Sequence, residues 1–347
     1  MNQDKKISAL KHINEAFASY NSIIAEYKQQ NNTSIAVWQM ETVPPELTAS
    51  FNIISLKIPS FFKADDDKKK YWSQIADAHI IPETDCSCTS KATSIPVYNF
   101  KVPGGYGEDA AVAIHNKTAL LLKTLFSADL KKIDIEILKE KTRIYETLRK
   151  TLRGICSARN SFPSILTQSE LALIFETALV FPPETALEYI TPIFNLCKDN
   201  TQNKDNAPLR AMLFSCDPFD GKTADLIENK GIIIAEDDSQ TGRRCFDISL
   251  NYESDYIFYE LLDVYSYRPL APCLRSAEER HELLYKLLRN YSIELVIFLK
   301  SDKHAISDEI INYLRIKSMR NGVDIIVSTV QESPDKVRDY LANTGLR

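Results

Sequence analysis

The chain has 347 residues, 44% of them hydrophobic and 26% charged, with a formal net charge of −5. That length suits two domains of ordinary size, and the slightly acidic balance leaves no basic footprint for nucleic acid. No apolar run reaches the roughly 18 residues of a membrane span and the opening MNQDKKISALKH has no hydrophobic signal region, so a cytoplasmic protein without a membrane partner is expected.

Ile7, Leu10, Ile13, Phe17, Tyr20 and Ile24 recur at helical spacing and predict an amphipathic leading helix over 5–30. Short apolar runs follow at 34–39 (SIAVWQ), 52–58 (NIISLKI), 78–82 (AHIIP) and 96–102 (PVYNFKV), and they read as strands of a first parallel or mixed sheet. From 108 to 200 the pattern is helical throughout; Thr167 with Glu170 forms a capping box, and Pro183 suits a first helical turn. The polar stretch DNTQNKDNAP (199–208) marks a boundary. Beyond it strands at 209–215, 231–236, 293–299 and 322–328 alternate with helices at 221–230, 253–266, 276–291, 305–320 and from 333. Such βαβ repetition predicts a doubly wound parallel sheet. The expected fold is therefore α/β, with two Rossmann-like or flavodoxin-like parallel-sheet domains, 1–107 and 207–347, around a helical segment, 108–206.

Seven cysteines (Cys86, Cys88, Cys156, Cys197, Cys216, Cys245 and Cys273) are odd in number and scattered, so they read as structural or ligating thiols rather than a disulfide framework. Neither GxGxxG nor GxxxxGK[ST] occurs, which removes the usual dinucleotide and P-loop sites. The stretch GIIIAEDDSQTGRRC (231–245) is more informative. Its apolar run fits a central parallel strand, and ligands bind at the carboxyl ends of such strands. Asp237 and Asp238 stand at that end, although an Asx turn capped by Asp238 fits the same residues.

The order of these segments carries a resemblance. The run RAMLFSCDPFDGKTADLIENKGIIIAEDDSQTGRRCF resembles the C-terminal domain of the 2-hydroxyacyl-CoA dehydratase family, which includes benzoyl-CoA reductase subunits and shows D-D-x-C-T-G-x-R-x-F here. Asp237, Asp238, Thr241, Gly242, Arg244 and Phe246 keep that frame, while Gln240 stands where the family has cysteine. VWQMETVPPEL is similar to G-x-F-C-x-x-V-P-E-E-L, with Met40 in the place of a ligand cysteine. IIPETDCSCTSKA resembles a strand followed by a T-C-D ligand loop, with Cys86 the match and Cys88 an alternative. DIEILKEKTRIYETLRKTLRGI resembles the helical I-x-x-Y-N-x-x-R stretch, keeping Tyr145 and Arg149. IELVIFLKSDKHAISDE resembles the strand before F-C-D, which puts His304 or, with a short gap, Ser301 on the third ligand.

The resemblance implies a heterodimer of related subunits in anaerobic metabolism, a [4Fe-4S] cluster, an acyl-CoA substrate and an ATP-dependent activator protein that delivers one electron to the thioester. Two readings stay open. One is the small subunit of a 2-hydroxyacyl-CoA dehydratase (a lyase) or of an aromatic acyl-CoA reductase (an oxidoreductase), paired with a cluster-bearing relative or with itself. The other is a divergent structural or binding subunit that has lost the cluster, since methionine, glutamine and serine replace soft thiolates poorly. If a cluster is present, the resemblance makes Cys86 a ligand with Cys88 or His304 completing the set; otherwise Cys86 and Cys88 are a packed C-x-C loop and His304 a solvent-facing histidine that opens a helix. Asp237, Asp238, Thr241 and Arg244 would face substrate in the cleft, with Arg244 paired to one aspartate. Glu46 is either a general base or an acid favoured by a helix N-terminus.

Overall fold

The computed structural model describes residues 2–38, 43–58, 75–82, 95–100, 107–159, 165–198, 208–215, 221–239, 242–268, 277–300, 308–320 and 322–344. The chain opens with α1 (Asn2–Ala18) and α2 (Tyr20–Asn31). The single leading helix expected from periodicity is thus two, parted at Ser19, and α2 closes on Asn32 in the left-handed conformation that asparagine tolerates. Then come β1 (Ser34–Trp38), α3 (Pro45–Ala49), β2 (Ile53–Lys57), β3 (Ala78–Pro82) and β4 (Val97–Phe100). These strands form one parallel sheet in the order β2-β1-β3-β4, with Ser34 opposite Ile53 and Ala36 opposite Ala78.

Four long helices follow: α4 (Glu108–Phe126), α5 (Ile135–Arg159), α6 (Gln168–Val180) and α7 (Pro183–Lys198). The capping box at Thr167 and Glu170 forms, and Pro183 opens α7. The second sheet is built from β5 (Leu209–Ser215), β6 (Ile232–Asp238), β7 (Leu295–Lys300) and β8 (Asp324–Thr329). The helices of this half of the chain are α8 (Gly221–Glu228), α9 (Ile257–Ser266), α10 (Ala277–Tyr291), α11 (Asp308–Met319) and α12 (Ser333–Thr344). Its order, β6-β5-β7-β8, is again parallel and repeats that of the first sheet. Both match the first four strands of the flavodoxin-like order, in which the chain reverses direction beside the first strand.

Alternation along β1 sends Ile35 and Val37 to one face and Ala36 and Trp38 to the other. The first face packs on α1, α2, α5, α6 and α7 through residues such as Ile13, Ile24, Leu152, Phe175 and Ile190. The second packs on α4 through Ile114 and Leu121 and on α9 through Ile257 and Leu261. Residues 246–266 therefore leave the second sheet and cross to the first, and α9 lies against α4 and α5. In the second sheet, Met212, Phe214, Val296 and Phe298 face α10 and α11, while Ala211, Leu213, Ile297 and Leu299 face α8 and α12. No described helix is long and apolar enough to cross a membrane. Of the 199–208 linker, residues 199–207 lie outside the described residues.

Candidate functional site

A cleft of about 640 Å³, part of it open to solvent, lies over the carboxyl ends of β1 and β2. Trp38 and Lys57 come from the strand ends, Pro45 from α3, Tyr145, Leu148 and Arg149 from α5, and Tyr265 and Arg268 from the end of α9. Val43, Ala178, Leu179 and Phe246 complete apolar walls. Among the described residues the lining holds three cationic side chains and no carboxylate.

Arg149 is the centre of this site, at 4% exposure. Its Nη1 donates to Glu46 Oε1 at 2.5 Å and its Nε to Glu146 Oε2 at 3.0 Å. Its Nη2 is buried with no hydrogen-bond partner. Two more lining side chains share that condition, Trp38 through its indole Nε1 and Tyr145 through its hydroxyl. Burial, and then Glu46, raises the Tyr145 phenol well above its ordinary value, so it stays protonated at neutral pH. An indole and a guanidinium can only donate.

The carboxylates behind Arg149 are themselves well held. Glu46, fully buried in the first turn of α3, also accepts from the Tyr265 hydroxyl at 3.0 Å. Glu146 accepts from Arg153 Nη2 at 2.5 Å and from the backbone N–H of Leu250 at 3.3 Å. Arg153 Nη1 donates to the carbonyls of Phe246 at 3.2 Å and Ile248 at 2.5 Å, and Arg268 Nη2 to that of Cys245 at 3.1 Å. Segment 245–250 is thereby clipped onto α5, with Phe246 over the cleft.

A second cleft, between the end of β6 and α10, holds Glu236, Asp237, Asp238, Arg243 and Arg244, and Arg268 lines both clefts. Asp237 and Asp238 lie inside β6 rather than in a loop after it, and both are buried. The strand runs on because Asp237 is satisfied where it sits, accepting from Ser239 Oγ at 2.8 Å and Gln168 Nε2 at 3.3 Å. Gly242 folds back so closely that a Cβ there would fall 1.9 Å from Asp237 Oδ1. Burial pushes the Glu236 carboxyl up to about 8 against the pull of Arg243, whose Nη1 lies at 3.4 Å. Asp237 is raised for the same first reason. Arg244 Nε donates to the carbonyl of Ser239 at 3.1 Å.

Of the residues singled out in the sequence, Glu46 stands directly behind the first cleft and Asp237, Asp238 and Arg244 line the second. Thr241, Cys86, Cys88 and His304 lie outside the described residues, as do Met40, Gln240 and Ser301. Trp38, Lys57, Glu146, Tyr265 and Arg268 went unmarked. Glu146 had a signal, its spacing of three from Arg149 on one helix; the others join the site only through tertiary packing.

The profile of the 2-hydroxyglutaryl-CoA dehydratase D-component family matches residues 66–302, well over half of the chain. The chain belongs to that family. Among curated proteins none matches. The match makes it a component of dehydratase type and spans α5, β6 and α9, whereas Trp38 and Glu46 precede it. Where the resemblance puts thiolate ligands the sequence has Met40, Gln240 and, depending on a short gap, His304 or Ser301. Burial pushes the described Cys156 thiol up to about 12 and that of Cys197 to about 11, which keeps them protonated. Among the described residues no three His, Cys, Asp or Glu side chains are grouped to hold a metal ion.

Proposed function

We propose that this D-component is the acyl-thioester-binding small subunit of a 2-hydroxyacyl-CoA dehydratase or aromatic acyl-CoA reductase complex, with the electron-transferring [4Fe-4S] centre in a related partner subunit. The observation that carries this is the cleft over β1 and β2, where apolar walls meet three buried donors, Trp38 Nε1, Tyr145 Oη and Arg149 Nη2, that have no hydrogen-bond partner. Buried donors left unpaired are costly, and a ligand carrying oxygen acceptors would satisfy them. The chain's own residues bind and orient in this reading. Arg149 is held by Glu46 and Glu146, and the Phe246 segment narrows the mouth. The ATP-dependent activator serves the partner's cluster.

The test is anaerobic purification of the chain alone and co-expressed with a related cluster-bearing subunit, with iron, sulfide and visible absorption measured on each. Iron well below stoichiometric in the isolated chain, and a stable complex carrying a full cluster, are the expected results. Stoichiometric iron in the isolated chain that is lost in Cys86→Ala would instead place a redox centre in this subunit. Failure to form any complex would count against the component role.

A further inference from the structure

A third cavity, of about 520 Å³, lies over the carboxyl ends of β7 and β8, and its volume falls within the roughly 300–1,000 Å³ of small-molecule sites. It shares no lining residue with the two clefts described above. The geometry points to a site for a dianionic phosphate group, free or esterified, in which the Arg315 guanidinium grips two oxygens, Lys300 adds positive charge, Asn312 and Thr329 donate to what remains, and Ile311 and Val327 form a wall for an organic remainder.

Three elements converge to make the site. Lys300 ends β7, Thr329 ends β8, and Asn312 and Arg315, three residues apart, share a face of α11. Among the described residues the lining carries three cations, Lys300, Arg315 and Lys336, against one carboxylate, Glu332. That carboxylate is already matched. Lys336 Nζ lies 3.2 Å from its Oε2, and this pairing holds the Glu332 carboxyl below its ordinary value, so it is ionised at neutral pH. Lys336 is further anchored by donating to the Val327 carbonyl at 3.1 Å. Arg315, by contrast, makes no hydrogen bond or ion pair with a described residue, so its planar fork is free to meet two oxygens side by side. Thr329 Oγ1 accepts from the Glu332 backbone N–H at 3.3 Å, which leaves the hydroxyl proton available to a ligand. The count of donors then selects the anion. A carboxylate spends both oxygens on the Arg315 fork and has none for Asn312 and Thr329, whereas a phosphate brings a third oxygen and a second charge.

This site is independent of the acyl-binding reading, and either can fail alone. The test is calorimetry on the full chain with four probes: AMP, inorganic phosphate, adenosine and acetate. AMP and phosphate should bind, while adenosine and acetate should not. Binding should weaken several-fold between about pH 8 and about pH 5, because the second phosphate proton, lost near pH 6, returns and removes one of the two charges. Arg315→Gln should weaken binding of both phosphates roughly tenfold or more, since hydrogen bonds to charged groups are the strong ones. Its melting temperature without ligand should equal that of wild type, because the exposed side chain it changes holds nothing else in place. Arg315→Lys, which keeps the charge and loses the fork, should recover only part of the affinity. AMP bound more tightly than phosphate would identify an ester as the natural source, and equal binding would identify free phosphate; both support the site. A folded wild-type chain that binds neither phosphate, adenosine that binds as well as AMP, or AMP bound equally by wild type and Arg315→Gln would overturn it.

Discussion

Arg149 commits two of its three nitrogens to buried carboxylates and leaves the third buried without a hydrogen-bond partner, so its neighbours govern both stability and site geometry. Truncating one member of a buried ion pair leaves an uncompensated charge and typically costs about 3–5 kcal/mol. The milder change is more informative. Tyr265→Phe deletes one hydrogen bond to the fully buried Glu46 carboxylate, and bonds to charged groups contribute roughly 1.5–3 kcal/mol. Urea unfolding should show a loss of that size with an unchanged m-value. Glu236 supplies a pH dependence of definite sign. Its folded carboxyl is raised to about 8 from an ordinary 4.5, so the folded state holds a proton that the unfolded chain has released between those values. Stability must then fall as pH rises from about 4.5 to about 8, and be flat outside that window for this group. Glu236→Gln, neutral at every pH, should be more stable than wild type above pH 8 and about equal below pH 4.5. Denaturation midpoints that run parallel for the two proteins across the window would contradict this.

At the scale of elements, the contact between α6 and α8 joins the helical segment to the second sheet. Gly221 sits so close that an added Cβ would meet the Ser169 Cα at 2.2 Å, and Asp225 accepts from the Ser169 backbone N–H at 3.0 Å as a cap supplied by another helix. Gly221→Ala must push backbone apart rather than bend a side chain, and overpacking of this kind costs about 1–3 kcal/mol. Asp225→Ala should cost roughly 0.5–2 kcal/mol by loss of the cap. Both are measured by thermal unfolding. Elements of this sort were largely legible in the sequence. The eight strands fall where apolar runs bounded by turn residues were read, and the Thr167 capping box forms, because period and caps are local properties. The end of β6 was misplaced, since two adjacent aspartates look solvated until Gln168, Ser239 and the Gly242 turn are brought over them by contacts far apart in sequence. Among the residues of the first cleft, Tyr145 and Arg149 stood in a motif of the resemblance, whereas nothing local marks Trp38 or Tyr265, and only the fold leaves the Trp38 indole N–H and the Tyr145 hydroxyl unpaired.

For the whole molecule the decisive feature is the passage of residues 246–266 from the second sheet to the first. Ile257 and Leu261 are fully buried in the core that covers Trp38, Ile80 and Phe100. Leu261→Ala, a Leu-to-Ala change in a core, should cost about 2–5 kcal/mol, and because its helix is tied to both halves, fluorescence and circular dichroism should follow one transition. Fragments 1–207 and 208–347 expressed separately should each associate or precipitate in light scattering, the first for want of α9 and the second with the apolar face of α9 uncovered. Two soluble monomeric fragments would contradict that expectation. The same crossing imposes an order on biosynthesis. An emerging chain presents its N-terminal sheet long before residue 266 leaves the ribosome, and through that interval the sheet face carrying Ala36, Trp38 and Ile80 waits without α9. Domains of ordinary design fold as units while translation proceeds. This chain must instead hold its first half unfinished, a natural client for chaperones, until the second half delivers the missing helix.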